Sequence, residues 1–204
     1  MRNGFNGIAF FYDELARLFF GNSITISQKY FLDKIHDRST VLILGGGTGW
    51  LLKELLEVNQ YGSIYYIEAS SEMIAMAKAK TNNDKRIAFI HGTEDNIPAS
   101  IKFDIVITNF YLDLFSDPSL KVVITKIGSA LAPHSNWIAT DFVCGTPWWQ
   151  RVMLWGMYRF FKIVAKVEAK ILPDWNEVIT SKGFVERSSR LFYKGFIKTS
   201  LYNR

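Results

Sequence analysis

The stretch VLILGGGTGW at residues 41–50 constrains the fold more than any other part of the chain. An apolar run leads straight into a glycine-rich loop, and a helical pattern, TGWLLKELLEVN, follows at once. An apolar run without polar alternation reads as a strand buried on both faces. Glycines after it permit positive φ and let the backbone approach a ligand closely. Such a unit opens a doubly wound sheet, with its ligand at the carboxyl ends of the first strands. A glycine turn between strand and helix is also a common structural device, so what this loop holds depends on residues elsewhere in the chain.

The alternation continues along the sequence. SIYYIE, RIAFIHG, FDIVITNF and NWIATDFV read as further strands. Between them, SEMIAMAKAK starts from a serine cap and PSLKVVITKIGSALA carries a helical period. Before the first strand, residues 5–20 and 27–37 read as two helices joined by GNSITIS. After the last parallel strand comes a long helix over about 147–169, then a short one in PDWNEVITSKG ending at Gly183. FVERSSRLFYKGFIKTSLYNR reads as a hairpin around Lys194–Gly195, an antiparallel edge on the sheet. The expected architecture is therefore α/β: a Rossmann-like doubly wound sheet, mostly parallel with an antiparallel C-terminal edge, plus N-terminal helices. One domain spans 1–204, with a helical cap at 1–38, a core at 39–204 and a helical cover inserted at 147–182.

Composition removes several classes of function. With 204 residues, 49% of them hydrophobic and 15% aromatic, the chain can build a sizeable core and still line an apolar cleft. No run approaches the roughly 20 uncharged apolar residues that span a bilayer. The first 20 residues lack a small-residue cleavage pattern and carry Asp13 and Glu14, which argues against a signal peptide. Cys144, the single cysteine, excludes an internal disulfide and forms no metal-ligand pattern with the three histidines. It reads as a small apolar residue, and His91 at a strand end as structural. A net charge of +5 spread without a Lys/Arg block gives nucleic-acid binding little support. The expectation is a cytoplasmic protein without stable membrane insertion, peripheral contact remaining open.

Glu68 gives the glycine loop its meaning. It closes the second strand, nineteen residues beyond Gly49, where an acid can accept two hydrogen bonds from a ribose diol. The nicotinamide fingerprint G-x-G-x-x-G/A would put a small residue at position 50, but the chain has Trp50, whose indole obstructs close pyrophosphate packing. Gly45, Gly47 and Gly49 therefore read better as a loop around a nucleoside without a pyrophosphate. Here the sequence resembles the class I S-adenosylmethionine-dependent methyltransferases. VLILGGGTG is similar to that family's first motif and YYIEASSEMIAMAK to its second. FYDELARLFFG and LPDWNEVITSKGF resemble the small-molecule branch that includes quinone-ring methyltransferases.

The resemblance implies S-adenosylmethionine as cofactor and assigns it a set of residues. Gly45, Gly47 and Gly49 would line its methionine and ribose portion, Glu68 would hold the ribose hydroxyls, and Ala69 and Met73 would pack near the adenine. Where the family has an acid after the third strand, this chain has GTEDNIP; Thr93 stands at the usual position, with Glu94 or Asp95 as substitutes. Asn109 and Phe110 would face the donor sulfur. A second departure is LAPHSNW, which alters the turn before the fifth strand. The expected acceptor is a small apolar or aromatic molecule rather than a protein or nucleic acid.

Since the donor sulfonium is already activated, much of the work is alignment and exclusion of water, and a general base is needed only if the acceptor must lose a proton. Candidates for catalysis are Tyr12, Asp113 and His134, with Asp13 and Asp141 nearby in the pattern; each has a bland reading as a capping or solvated residue. On a helical wheel of the 147–169 segment, Arg151, Arg159, Lys162, Lys166 and Lys170 share one arc and apolar residues fill most of the rest. That pattern fits a core helix with a solvated stripe, a cover over an apolar acceptor site, or a helix resting on an interface. Two other readings stay open: a nicotinamide-dependent oxidoreductase, and a non-catalytic S-adenosylmethionine-binding protein. An aminopropyl transferase uses a similar loop, but this chain lacks the extra N-terminal strands and paired acids of a polyamine site.

Overall fold

The computed structural model describes residue 14 and residues 17–145, 147–164, 168–169 and 171–204, with 161–164 described by their backbone. Most of the helix expected at 5–20, with Tyr12 and Asp13, lies outside the described residues. A seven-stranded sheet in the order β3-β2-β1-β4-β5-β7-β6 organises the rest. Its strands are β1 (Thr40–Leu44), β2 (Ser63–Glu68), β3 (Ile87–His91), β4 (Phe103–Asn109), β5 (Leu131–Phe142), β6 (Val185–Phe192) and β7 (Ile197–Asn203). The first five run parallel; β7 is antiparallel to β5 and to β6, which makes the expected antiparallel edge.

The two-residue period of the strands divides the core. Leu42 and Leu44 of β1 point to one face with Val106, Trp137 and Ala139, while Val41 and Ile43 point to the other with Ile105, Ile107 and Ile138. The first face is covered by α4 (Asp117–Ala130) and α6 (Trp175–Ser181). The second is covered by α2 (Leu52–Val58) and α3 (Ser71–Lys80). Burial on both faces explains why these strands carry no polar alternation. Local chemistry starts the helices: Ser70 Oγ accepts from Met73 N–H (3.2 Å) at the head of α3, and Asp174 caps α6 through Glu177 N–H (2.9 Å).

A third apolar cluster lies beyond the sheet's carboxyl ends. It joins Phe20 and Ile24 of the N-terminal segment, Phe110, Phe142, Phe196 and the inner side of α5 (Trp148–Val164). The hairpin between β6 and β7 turns through Tyr193, Lys194 and Gly195, all at positive φ.

One expected element is corrected. No helix spans 27–37; GNSITIS lies largely within α1 (Ser23–Lys29), and a 3-10 turn follows at Leu32–Lys34. Gly21 at φ +56° stops the preceding helix, and Thr199 Oγ1 of β7 anchors α1 by donating to the Ser27 carbonyl (2.9 Å). Contact with β7 overrides the weak helix propensity of a Ser/Thr/Ile run, and that contact is invisible in the local sequence.

Candidate functional site

The order of the strands places a crevice where the chain reverses direction from β1, with β2 on one side and β4 on the other. A cavity of about 310 Å³ opens there. The carboxyl ends of three strands build its floor: the 45–49 loop after β1, Tyr66 in β2, and Asn109, the last residue of β4, with Phe110 after it. Trp50, Met73, Tyr111 and Leu114 continue the wall, and Arg17, Asn22, Ile24, Thr25 and Gln28 close it from the N-terminal side.

The loop's glycines have different duties. Gly49, at φ +76°, sits so close to α3 that a Cβ there would stand 2.5 Å from the Ala77 Cβ. Gly47, at φ +66°, has nothing within 4 Å of where a Cβ would be, so its backbone faces open space. The first glycine seats the helix against the loop; the second leaves room for a ligand. Around Gly47 the polar groups are ordered: Glu68 Oε2 accepts its N–H (2.9 Å), and Tyr66 Oη donates to its carbonyl (2.5 Å).

Glu68 is buried directly behind this loop and is not itself a lining residue. Its Oε1 accepts from Ser70 N–H (2.8 Å). Burial pushes its carboxyl above the ordinary value, and the N–H groups of Ser70, Gly47 and Ala69 pull it back. A carboxylate has roughly four acceptor positions, so these backbone bonds do not exhaust it.

The remaining expected cofactor residues fall into two groups. Gly45, Gly47, Gly49, Met73, Asn109 and Phe110 meet around the cavity. Asn109 Oδ1 is buried in its wall without a hydrogen-bond partner, an acceptor awaiting a donor. Phe110 takes φ +51°, held there by its N–H bond to the Thr140 carbonyl (2.7 Å). Ala69, Thr93, Glu94 and Asp95 are outside the lining. Ala69 offers its carbonyl to His91 Nε2 (2.9 Å), a structural role for that histidine. Thr93 caps the short turn 94–96. Asp95 turns away to pair with Lys126, whereas Glu94 reaches the cavity wall by accepting from Tyr111 Oη (2.7 Å).

The expected catalytic residues do not meet at the cavity. His134 is exposed near the amino end of β5, at the opposite end of the strand from Asp141. That separation removes it from the site. Asp113 is buried beneath the turn after β4, beside the equally buried Asp141. Asp141 Oδ2 accepts the N–H groups of Leu112 (2.9 Å) and Asp113 (3.2 Å), and Oδ1 accepts from Phe142 N–H (2.8 Å). Burial pushes Asp113 up to about 7 and Asp141 well above the usual carboxylate range. The pair fixes the turn carrying Phe110 and Leu114 and touches no open space, so Asp113 positions the wall rather than the chemistry. Tyr158 of α5 donates to the Asp113 carbonyl (3.2 Å), which ties the helix to the same turn. Tyr12 lies outside the described residues.

Sequence reading missed Tyr66, Tyr111 and the N-terminal wall. Tyr66 was within reach, because it precedes Glu68 by two residues and must share its face. Arg17, Thr25 and Gln28 carry no such signal, since a tertiary contact places them.

Known proteins fit this geometry. Residues 41–134 match the methyltransferase domain family. A malonyl-[acyl-carrier protein] O-methyltransferase of Priestia megaterium is 26% identical over 146 residues, 72% of this chain and 52% of the relative. The chain thus spans about half of that protein's length. Among solved structures, a chain in the complex between the Haloferax volcanii Trm112 methyltransferase activator and a methyltransferase superposes with a TM-score of 0.76 at 16% identity, covering 98% of this chain and 96% of that one. The N-methyltransferase NodS of Bradyrhizobium japonicum, in complex with S-adenosylhomocysteine, superposes with a TM-score of 0.67 at 13% identity, covering 88% and 84%. Residues 41–134 thus match a methyltransferase domain family, and the chain has the Rossmann-like fold seen in class I, S-adenosylmethionine-dependent methyltransferases.

Proposed function

We propose that the chain binds S-adenosylmethionine in the 310 Å³ cavity and transfers its methyl group to a small, largely apolar acceptor. The carrying observation is the open backbone at Gly47, backed by Glu68 and flanked by the unpartnered Asn109 Oδ1. These residues fit the donor's parts. Glu68 would accept the ribose hydroxyls, Asn109 Oδ1 would accept from the amino-acid ammonium, and Met73 with Tyr66 would pack beside the nucleoside. When bound, the donor supplies an electrophilic methyl on a sulfonium.

What the chain adds is position and dryness. Trp50, Phe110, Tyr111 and Leu114 form an apolar wall that suits a flat or greasy acceptor and excludes water from the transfer. No Asp, Glu or His lines the cavity among the described residues. An acceptor that ionises on its own would show kcat/KM rising with pH along that ionisation.

The test is calorimetric titration with S-adenosylhomocysteine and separately with NAD, followed by assay of S-adenosylhomocysteine release across acceptors. Donor-product binding without NAD binding is expected. NAD binding alone would reverse the assignment, and donor binding with no turnover on any acceptor would leave a binding protein.

A further inference from the structure

We infer that the outward face of α5 is a docking surface for an anionic lipid bilayer. The inner side of this helix is committed: Leu154 is buried, and Trp149, Met153, Met157 and Tyr158 pack on the cluster of Phe20, Phe142 and Phe196. That packing fixes which residues point outward. Trp148, Val152 and Trp155 are 76%, 57% and 65% exposed, spaced i, i+4 and i+7 along a single stripe. Single exposed apolar residues are ordinary; two indoles and a valine on one helix face are not.

The cations lie on the same stripe. Arg151 and Arg159 are exposed between and beyond the indoles, and the Arg159 guanidinium stands 5.4 Å from the centre of the Trp155 ring. From Phe142 to Val167 the sequence contains no Asp or Glu, so nothing on this helix opposes a negative partner. From Trp148 to Arg159 the stripe runs about 17 Å along the axis at 1.5 Å per residue, long enough to lie flat on a surface. Gly156, next to Trp155, has open space where a Cβ would be.

Charge and shape together select the occupant. An acidic protein would satisfy the arginines but leave the indoles without a greasy partner. The headgroup region of an anionic bilayer takes both, with indoles at the acyl boundary and guanidiniums among phosphates. No helix among the described residues is long and apolar enough to cross a membrane, so the contact is peripheral.

Flotation of the full chain with phosphatidylcholine vesicles, with and without phosphatidylglycerol, tests the inference. It reads no catalysis and stands apart from the methyl-transfer assay. Binding is expected only with phosphatidylglycerol. Both Trp148→Ser with Trp155→Ser and Arg151→Glu with Arg159→Glu should weaken it by roughly tenfold or more, while thermal midpoint and S-adenosylhomocysteine affinity hold. High salt should weaken it in the wild type. Failure to bind phosphatidylglycerol vesicles overturns the proposal, as does undiminished binding by both variants. So would a wild-type dimer that the tryptophan variant splits, or capture by soluble polyglutamate in place of vesicles.

Discussion

Glu68 is buried where water barely reaches, and three backbone N–H groups favour its charged form against that burial. Glu68→Gln removes the charge and one oxygen, so it should weaken S-adenosylhomocysteine binding by roughly tenfold or more, the scale of a hydrogen bond to a charged group. Because burial raises the Glu68 pKa, wild-type affinity should fall as pH drops toward that raised value, and the variant should lose the dependence. Gly47→Ala forces a side chain into φ +66°, costing about 1–2 kcal/mol, and fills the open space beside the loop. Titration of both variants checks the pair: unchanged affinity in each would remove the loop from the binding site. Asp113 predicts a separate behaviour. Its native pKa, near 7, lies above the unfolded value, so the folded state binds the extra proton. Stability is therefore fully present below about pH 4 from this group and declines as pH rises through 7. Thermal midpoints measured from pH 5 to 8 should fall in the wild type and flatten in Asp113→Asn; equal slopes would contradict the buried pair.

At the scale of elements, local patterns named the strands well. β2 matches its sequence pattern residue for residue, because an apolar run capped by an acid has only one way to enter a two-sided core. α1 shows the opposite case: Ser, Thr and Ile favour no helix, and the contact of Ser27 with Thr199 on β7 decided it. The placement of Gly45, Gly47 and Gly49 beside the cavity, with Glu68 behind them, was legible because backbone geometry restricts what can stand there. Asp113 and His134 lie away from the cavity lining, because being polar near a strand end does not specify which end of the sheet or which side of a turn. Within α5, Gly156 has a helical interior position and no neighbour within 4 Å of an added Cβ. Gly156→Ala should stabilise by roughly 0.5–1 kcal/mol. Urea denaturation would register this as a higher midpoint with an unchanged slope.

Across the whole molecule, the cavity draws its walls from the 17–28 segment, three strands and two loops. A ligand bound there connects parts that unfolding would separate, so it should stabilise the entire chain. At a concentration near 100 times its Kd, S-adenosylhomocysteine should contribute about 2.7 kcal/mol and raise the thermal midpoint by roughly 5–10 °C. NAD should leave it unchanged, and a scanning thermal unfolding experiment distinguishes the two.

By itself the sequence determined the alternating strands and helices, the glycine loop and the acid behind it. Each depends on local periodicity or on a backbone conformation that few residues tolerate. Only the tertiary structure decided that 23–29 is a helix, that Glu94 rather than Asp95 reaches the cavity wall, and that Asp113 and Asp141 are buried side by side. It also turned Trp148 and Trp155 outward. These outcomes depend on which distant segments meet, and neither spacing nor composition encodes that directly.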